Sequence, residues 1–133
     1  MIFEYKKKVY GYECDVYGHL NNANYLQIYE AARAEALIEM RMPIAKLKEM
    51  NVMLFLVKAE IEYKKGVELE AVVTVKSKII ENNRLKSLWQ QEIFNPKGEL
   101  CSRVIVTGAY VSDGKATRIS KELCDFFDGF VEV

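Results

Sequence analysis

The sequence predicts an α+β fold in which one long helix is wrapped by an antiparallel sheet, and two observations lead to this prediction. Apolar side chains recur at helical spacing over residues 22–40, whereas from residue 55 onward they alternate with polar ones at the period of a strand. Strands of this length reach ~36–43 Å at ~3.3 Å per residue, and the helix reaches only ~28 Å at ~1.5 Å per residue. A sheet that much longer than its helix should twist around it. The 133 residues allow one domain, 1–133, with a hydrophobic core.

The first third of the chain predicts a strand followed by helices. Residues 2–12 alternate loosely between apolar and polar side chains, which is typical of a strand. Asn21 or Asn22 can cap the long helix, because a short amide side chain accepts a hydrogen bond from a free backbone N–H. Pro43 interrupts that helix, and residues 44–50 predict a short second one.

The rest of the chain predicts four strands joined mostly by tight turns. The strands cover residues 55–63, 69–79, 85–93 and 99–112. Asn82-Asn83 and the stretch 95–98 have the composition of turns on either side of the third of them. Ser120 can cap a final helix that runs through Phe127.

Three residues within the predicted strands require comment. Gly108 should mark a place where the sheet backbone approaches the alanine-rich side of the long helix, since glycine in a strand accompanies close backbone contact. Ser77 and Gln91 are polar residues on faces that are otherwise apolar, and the alternation gives no reason for them.

Composition argues against several classes of function. Nineteen Lys and Arg balance nineteen Asp and Glu, so nucleic acid is not the expected partner. No apolar run could cross a membrane, the start lacks signal-peptide order, and three cysteines suit a reducing compartment, so we expect a cytoplasmic protein. With one histidine and no glycine-rich phosphate loop, we expect neither a metal nor a bound cofactor. A lone sheet leaves one face and two edges uncovered, so we expect a homodimer or homotetramer.

The single histidine, His19, lies between a carboxylate and a helix start. Asp15 follows the first predicted strand, and Asn22 opens the helix. A carboxylate can act as general base or nucleophile, and free N–H groups at the positive end of a helix dipole stabilise an oxyanion. Gly18 would allow the tight turn between them. The pair could therefore hydrolyse an acyl bond, but spacing alone equally allows a turn-capping aspartate, a structural histidine and plain capping asparagines.

The segment D-V-Y-G-H-L-N-N-A-N-Y-L-Q-I-Y-E-A-A-R, residues 15–33, resembles the signature of the hotdog-fold acyl thioesterases. Members of the 4-hydroxybenzoyl-CoA and long-chain acyl-CoA thioesterase groups read D-x-x-G-H-V-N-N-x-x-Y-L-x-x-x-E-x-A-R. The likeness continues at residues 58–65 and 116–120, so it covers nearly the whole chain. It implies the hotdog fold, a long central helix wrapped by a five-stranded antiparallel sheet, and hydrolysis of an acyl-CoA to a carboxylic acid and coenzyme A.

The resemblance also implies roles for individual residues. Asp15 matches the catalytic aspartate, Asn22 matches the residue whose backbone N–H holds the thioester carbonyl, and His19 would orient water or substrate. The positions that match substrate-binding residues are Gly18, Asn21, Tyr25, Lys86, Ser87 and Arg118. The family's edge-to-edge dimer would let Lys86 and Arg118 serve the partner's site. Glu30 and Arg33 also match, although a helical i,i+3 pair is a sufficient explanation for them.

One departure and three alternatives accompany this interpretation. Plant acyl-carrier-protein thioesterases carry an asparagine two residues after the aspartate, where this chain has Tyr17, so a water held by Asp15 is the favoured nucleophile. The alternatives are an acyl-carrier-protein substrate, hydration of an enoyl-CoA, and binding of acyl-CoA without hydrolysis. The hydratase pattern has a proline and a longer interval from Asp to His, which this chain lacks. The sequence leaves the acyl group open.

Overall fold

An antiparallel sheet with one long helix packed on its inner face forms the fold. The structure is a computed structural model that describes residues 1–132. The strands are β1 (Phe3–Lys8), β2 (Met53–Tyr63), β3 (Val72–Asn82), β4 (Lys86–Phe94), β5 (Leu100–Ser112) and the two-residue β6 (Lys115–Ala116). The helices are α1 (Tyr25–Glu39), α2 (Ile44–Glu49) and α3 (Lys121–Asp128), and short 3₁₀ turns cover Gly11–Glu13 and Asn22–Asn24. The main strands follow the order β1-β3-β4-β5-β2, which confirms the predicted α+β arrangement.

Burial alternates along the inner strands as the sequence predicted. In β3, Val73, Val75, Ser77 and Ile79 are buried and face α1, and their neighbours are more exposed. α3 also begins as predicted, because the Ser120 hydroxyl accepts a hydrogen bond of 3.1 Å from the Leu123 N–H. Apolar burial on one face of the sheet therefore positions both helices.

Three strands differ from the prediction in their bounds or in their alternation. β1 is shorter than residues 2–12, because the chain turns into a 3₁₀ turn at Gly11. β3 starts at Val72 rather than residue 69, since Glu70 adopts a left-handed φ of 64° that is incompatible with a strand. In β2 the pairing with β5 skips Val57, so a bulge interrupts the single alternation predicted for residues 55–63.

Gly108 approaches β2 rather than the long helix. A Cβ atom placed on Gly108 would lie 2.7 Å from the Leu54 side chain. The predicted close approach therefore exists, but its partner is the neighbouring strand and not the alanines of α1.

A buried polar network explains the two polar residues that the alternation left unexplained. The Gln91 amide donates to the Tyr29 backbone carbonyl and to the Ser77 hydroxyl, each at 2.9 Å. Its carbonyl accepts a hydrogen bond of 2.8 Å from Arg33, and the Tyr29 hydroxyl donates to Ser102 at 2.7 Å. The network holds α1 on the sheet at a fixed position.

β1 and β2 are the two edges of the sheet. β2 is the longer, with eleven residues, and it leaves Phe55, Leu56 and Val57 about half exposed. An edge of this length with exposed apolar side chains is a surface that proteins normally cover. Within residues 1–132, none of the helices has the length and apolar character that a bilayer crossing requires.

Candidate active site

The loop between β1 and α1 is fixed by a buried glutamate. Glu13 accepts hydrogen bonds from the Lys7 ammonium at 2.8 Å and from the Tyr10 N–H at 3.0 Å. Its backbone carbonyl accepts the Asn21 N–H at 2.8 Å. Glu13 thereby joins the chain before His19 to the chain after it, and no pattern in the sequence had indicated this role.

A tight turn positions the predicted catalytic aspartate. The Asp15 N–H donates to the His19 carbonyl at 2.9 Å, and Gly18 bends the chain with a left-handed φ of 77°. One carboxylate oxygen of Asp15 accepts the Tyr17 N–H at 2.9 Å. Asp15 therefore stabilises its own turn, in agreement with the turn-capping role that the spacing also allowed. It also lines a cavity.

The start of the helix leaves one backbone donor open. The Asn21 side chain accepts the Ala23 N–H at 2.9 Å, and the Asn21 carbonyl accepts the Asn24 N–H at 2.8 Å. The Asn22 N–H has no acceptor among residues 1–132. Asn21 is thus the N-cap, and the unused donor is that of Asn22.

One cavity brings these groups together. Its volume is about 260 Å³, and its walls include Asp15, His19, Asn22 and Tyr25 from the first part of the chain and Tyr63 from the end of β2. The carboxylate and the helix start therefore share one space large enough for a small functional group.

Two residues distant in sequence hold His19. The His19 Nε2 and a Glu68 carboxylate oxygen are 3.2 Å apart. Gly66 lies against the imidazole, since a Cβ there would be 3.0 Å from Nδ1. Neither Glu68 nor Gly66 was among the predicted site residues, because only the fold brings this loop to the histidine.

Two tyrosines form the wall between the helix start and the sheet. The rings of Tyr25 and Tyr63 pack edge to face with centroids 5.0 Å apart. Burial raises the pKa of Tyr25 to about 12, so its phenol stays neutral at ordinary pH. The Tyr63 hydroxyl donates to the Asn22 carbonyl at 3.1 Å. Tyr63, which the sequence did not indicate, therefore fixes the residue that carries the open N–H.

The remaining predicted substrate-binding residues lie elsewhere in the same chain. Ser87 is 2% exposed, and its hydroxyl accepts the Trp89 indole N–H at 2.9 Å, so its side chain is committed to the core. Lys86 and Arg118 are exposed and lie near each other, because Arg84, two residues before Lys86, exchanges hydrogen bonds with Ile119. One chain does not bring these cations to the cavity.

Lys86 and Ser87, at the start of β4, lie about six residues along the strands from the cavity. Ser87 is paired with Gly108, whereas Tyr63 of the cavity is paired with Ser102. Six residues of strand span ~20 Å. Among residues 1–132, no group of three or more His, Cys, Asp or Glu side chains is arranged to hold a metal ion.

Comparisons with known proteins give the class, the thioester hydrolases with a hotdog fold, and the family. A family model described as "Thioesterase-like superfamily" matches residues 10–127. The chain belongs to this superfamily. It is 31% identical over 101 residues to the long-chain acyl-CoA thioesterase FadM of Escherichia coli strain K12, covering 75% of this chain and 76% of FadM.

Solved structures confirm the hotdog fold. A hypothetical protein from Aquifex aeolicus (AQ1494) superposes with a TM-score of 0.88 at 27% identity, covering 94% of this chain and 98% of that one. The DHNA-CoA thioesterase from Staphylococcus aureus also reaches 0.88, at 20% identity, covering 96% and 89% of the two chains. The predicted fold class is therefore confirmed, and the family model together with the likeness to FadM confirms the prediction of a thioester hydrolase.

Proposed function

We propose that this protein hydrolyses an acyl-CoA thioester to a carboxylic acid and free coenzyme A. The observation that carries the proposal is the shared cavity, which has a volume of about 260 Å³ and is lined by both Asp15 and Asn22. A thioester between them meets a base on one side and an oxyanion donor on the other. The names of two similar proteins, a long-chain acyl-CoA thioesterase and a DHNA-CoA thioesterase, support coenzyme A as the thiol.

The proposed reaction proceeds in two steps. Asp15 removes a proton from a water molecule as the water oxygen attacks the thioester carbonyl carbon, and the carbonyl oxygen becomes an oxyanion held by the Asn22 N–H. The carbon–sulfur bond then breaks, the oxyanion collapses to the acid, and the thiolate leaves and takes up the proton that Asp15 removed from the water. One aligned oxyanion donor stabilises such a transition state by about 3–4 kcal/mol. The alternative, direct attack by Asp15 through an anhydride, uses the same two groups.

His19 and Tyr25 complete the proposed site. His19 lies in the cavity wall with Glu68 3.2 Å from its Nε2, and its proposed role is to position water or substrate. Tyr25 supplies a neutral, largely buried ring at the start of the helix. Gly18 bends the turn, and Asn21 caps the helix with its side-chain oxygen.

The assembly we propose is a homodimer in which two β2 strands pair antiparallel. A two-fold axis at Ala59 would place each Lys58 opposite Glu60 of the other copy, and opposite charges directly across strands attract. Moving the two-fold axis from Ala59 to Glu60 or to Lys58 sets Glu60 opposite Glu60 or Lys58 opposite Lys58. Charge therefore favours the register centred on Ala59.

This pairing would bring the cations of one copy to the cavity of the other. Antiparallel strands place the first half of one β2 beside the Tyr63 end of its neighbour. Lys86 lies beyond that first half, because it is paired with Ala109, which is paired with Phe55. Three strand spacings of ~4.8 Å separate Lys86 from the neighbour's Tyr63, about 14 Å. Lys86 and Arg118 could then bind the phosphates of coenzyme A.

Thiol release from a panel of acyl-CoA substrates tests the proposal. Asp15→Asn should lower kcat by about 10²-fold or more, since acid–base groups contribute on that scale. Asp113→Asn is the matched control, because this exposed aspartate lies in the β5–β6 turn and its φ of 51° suits asparagine. Equal rates for wild type and Asp15→Asn would refute the proposed mechanism. Hydrolysis of acyl-carrier-protein substrates alone, or tight binding with no thiol release, would favour the two alternatives.

A further inference from the structure

A second cavity lies between α1, α2 and the first half of β2. Its volume is about 360 Å³, and its walls are mostly apolar. The side chains used below are those of Ala34, Leu37, Ile44, Leu56 and Trp89. A cavity of this size and composition is typical of a site for an apolar group of a small ligand, and the proposed hydrolysis at Asp15 gives it no role of its own.

One face of α1 connects the two cavities. At 3.6 residues per turn, Asn22, Leu26, Arg33 and Leu37 fall on one side of the helix. Asn22 belongs to the catalytic cavity, and the second cavity begins at Glu30. At ~1.5 Å per residue, Asn22 is ~12 Å from Glu30 and ~22 Å from Leu37 along the helix axis.

β2 provides the opposite wall over the same distance. Tyr63 lines the first cavity and Leu56 the second. Between them Ala59 lies opposite Val106, which is itself opposite Trp89 on the inner face. α1 packs against β1 and β3, and the small side chain of Ala59 remains exposed. The two cavities therefore have walls from the same helix and the same strand.

We infer that the second cavity receives the far end of a straight acyl chain of about ten to sixteen carbons, an inference that rests on the proposed function. With C–C bonds of ~1.5 Å, an extended chain advances ~1.3 Å per carbon. A thioester carbonyl held at the Asn22 N–H thus reaches the cavity at about the tenth carbon. The chain reaches Leu37 at about the seventeenth.

Shorter and ring-shaped acyl groups do not reach this cavity. A two-ring aromatic acyl group extends roughly 7 Å from its carbonyl, by the same bond lengths, and ends between the two cavities. The names of the similar proteins point to both long-chain and aromatic acyl groups, and the second cavity favours the first of these for this chain.

Arg33 does not disturb an apolar chain in this cavity. Its guanidinium donates to the Gln91 carbonyl at 2.8 Å, and no carboxylate lies within 4.0 Å of it in the described part of the chain. A guanidinium held against the sheet presents its methylene stem to the space beside it. Arg33 does not pair with Glu30 in the way the helical spacing suggested.

A pair of alanine variants tests this inference. Ala34 lines the cavity and Ala31 does not, yet both lie on α1 and are half-buried. We expect Ala34→Phe to lower the ratio of kcat/KM for tetradecanoyl-CoA to that for butyryl-CoA at least ten-fold, because the ring fills the space that the long chain needs. Ala31→Phe should keep this ratio within two-fold of wild type. Ile44→Trp, at a position 54% exposed, should also lower the ratio if Ala34→Phe does not fold.

Binding to Asp15→Asn separates this inference from the proposed function. Calorimetry on Asp15→Asn should give at least ten-fold tighter binding of tetradecanoyl-CoA than of butyryl-CoA, with the difference reduced when Ala34→Phe is added. Equal binding of the two lengths, or an unchanged ratio in both cavity variants, would overturn the inference even if hydrolysis is observed. Absence of hydrolysis in wild type together with the expected difference in binding would refute the proposed function and leave the cavity assignment intact.

Discussion

Tyr63 shows how the site depends on a residue that lies far from it in sequence. Asp15, His19 and Asn22 fall within eight residues, so their spacing and their likeness to a known signature are visible in the sequence. Tyr63 belongs to another strand and meets Asn22 only because β2 ends beside the start of α1. The local sequence pattern therefore predicts the residues proposed for the chemistry. Tyr63, which fixes Asn22, can be identified only from the tertiary structure.

Removing the Tyr63 hydroxyl should weaken catalysis. Tyr63→Phe keeps the ring packed on Tyr25 and removes the hydrogen bond to the Asn22 carbonyl. A bond of about 1 kcal/mol that helps aim the oxyanion donor corresponds to about a five-fold loss of kcat.

Steady-state kinetics check this expectation, with Tyr12→Phe as the control because that side chain is 83% exposed. We expect the loss in kcat with KM nearly unchanged. An effect on KM alone would show that Tyr63 contributes to binding rather than to the position of Asn22.

Among the elements, α1 is hydrogen-bonded to β4 through the side-chain amide of Gln91. Gln91 bonds to a main-chain carbonyl of α1, to Ser77 and to Arg33. A buried donor or acceptor without a partner costs more than a hydrogen bond contributes. The amide is therefore required for the helix to lie where the site needs it.

Replacing Gln91 should destabilise the fold, and Gln90 offers a matched control. Gln91→Met leaves the Arg33 guanidinium and the Ser77 hydroxyl without their partner, which should lower the free energy of unfolding by about 2–4 kcal/mol. Gln90→Met, on the opposite face of β4, should change it by less than about 0.5 kcal/mol. Urea denaturation at equal protein concentration measures both. Equal losses in the two variants would contradict the role given to Gln91.

Periodicity predicted most elements and missed two local features of the backbone. The long helix, the inner strands and the Ser120 cap were predicted because burial on one face imposes a regular pattern. The left-handed conformation of Glu70 and the bulge at Val57 shift the chain without any glycine or proline nearby to mark them. Gln91 stood out in the sequence as a polar residue on an apolar face. Its hydrogen-bond partners could not be predicted, because they belong to distant segments of the chain.

For the whole molecule, the exposed edge at β2 determines how two copies would combine. The proposed register pairs Lys58 with Glu60 across a two-fold axis. The charges of β2 in one chain therefore complement those of β2 in the second chain. Lys86 and Arg118, which lie far from the cavity of their own chain, would then lie near the cavity of the other copy.

Reversing one of these charges should weaken the dimer. Glu60→Lys places two lysines opposite each other at both symmetric positions, and like charges across strands destabilise pairing by amounts that together correspond to about a ten-fold weaker association. Sedimentation at several protein concentrations measures it, with Glu122→Lys on the exposed side of α3 as control. A dimer of unchanged affinity would rule out the register centred on Ala59.

The economy of donors at the start of α1 has a consequence for competing anions. Asn21 occupies the N–H groups of Ala23 and Asn24, so among residues 1–132 the first helical turn leaves only the N–H of Asn22 without an acceptor. Phosphate and sulfate are usually bound by several such groups at once. A single free N–H binds these anions weakly, so added phosphate or sulfate should inhibit the proposed hydrolysis very little.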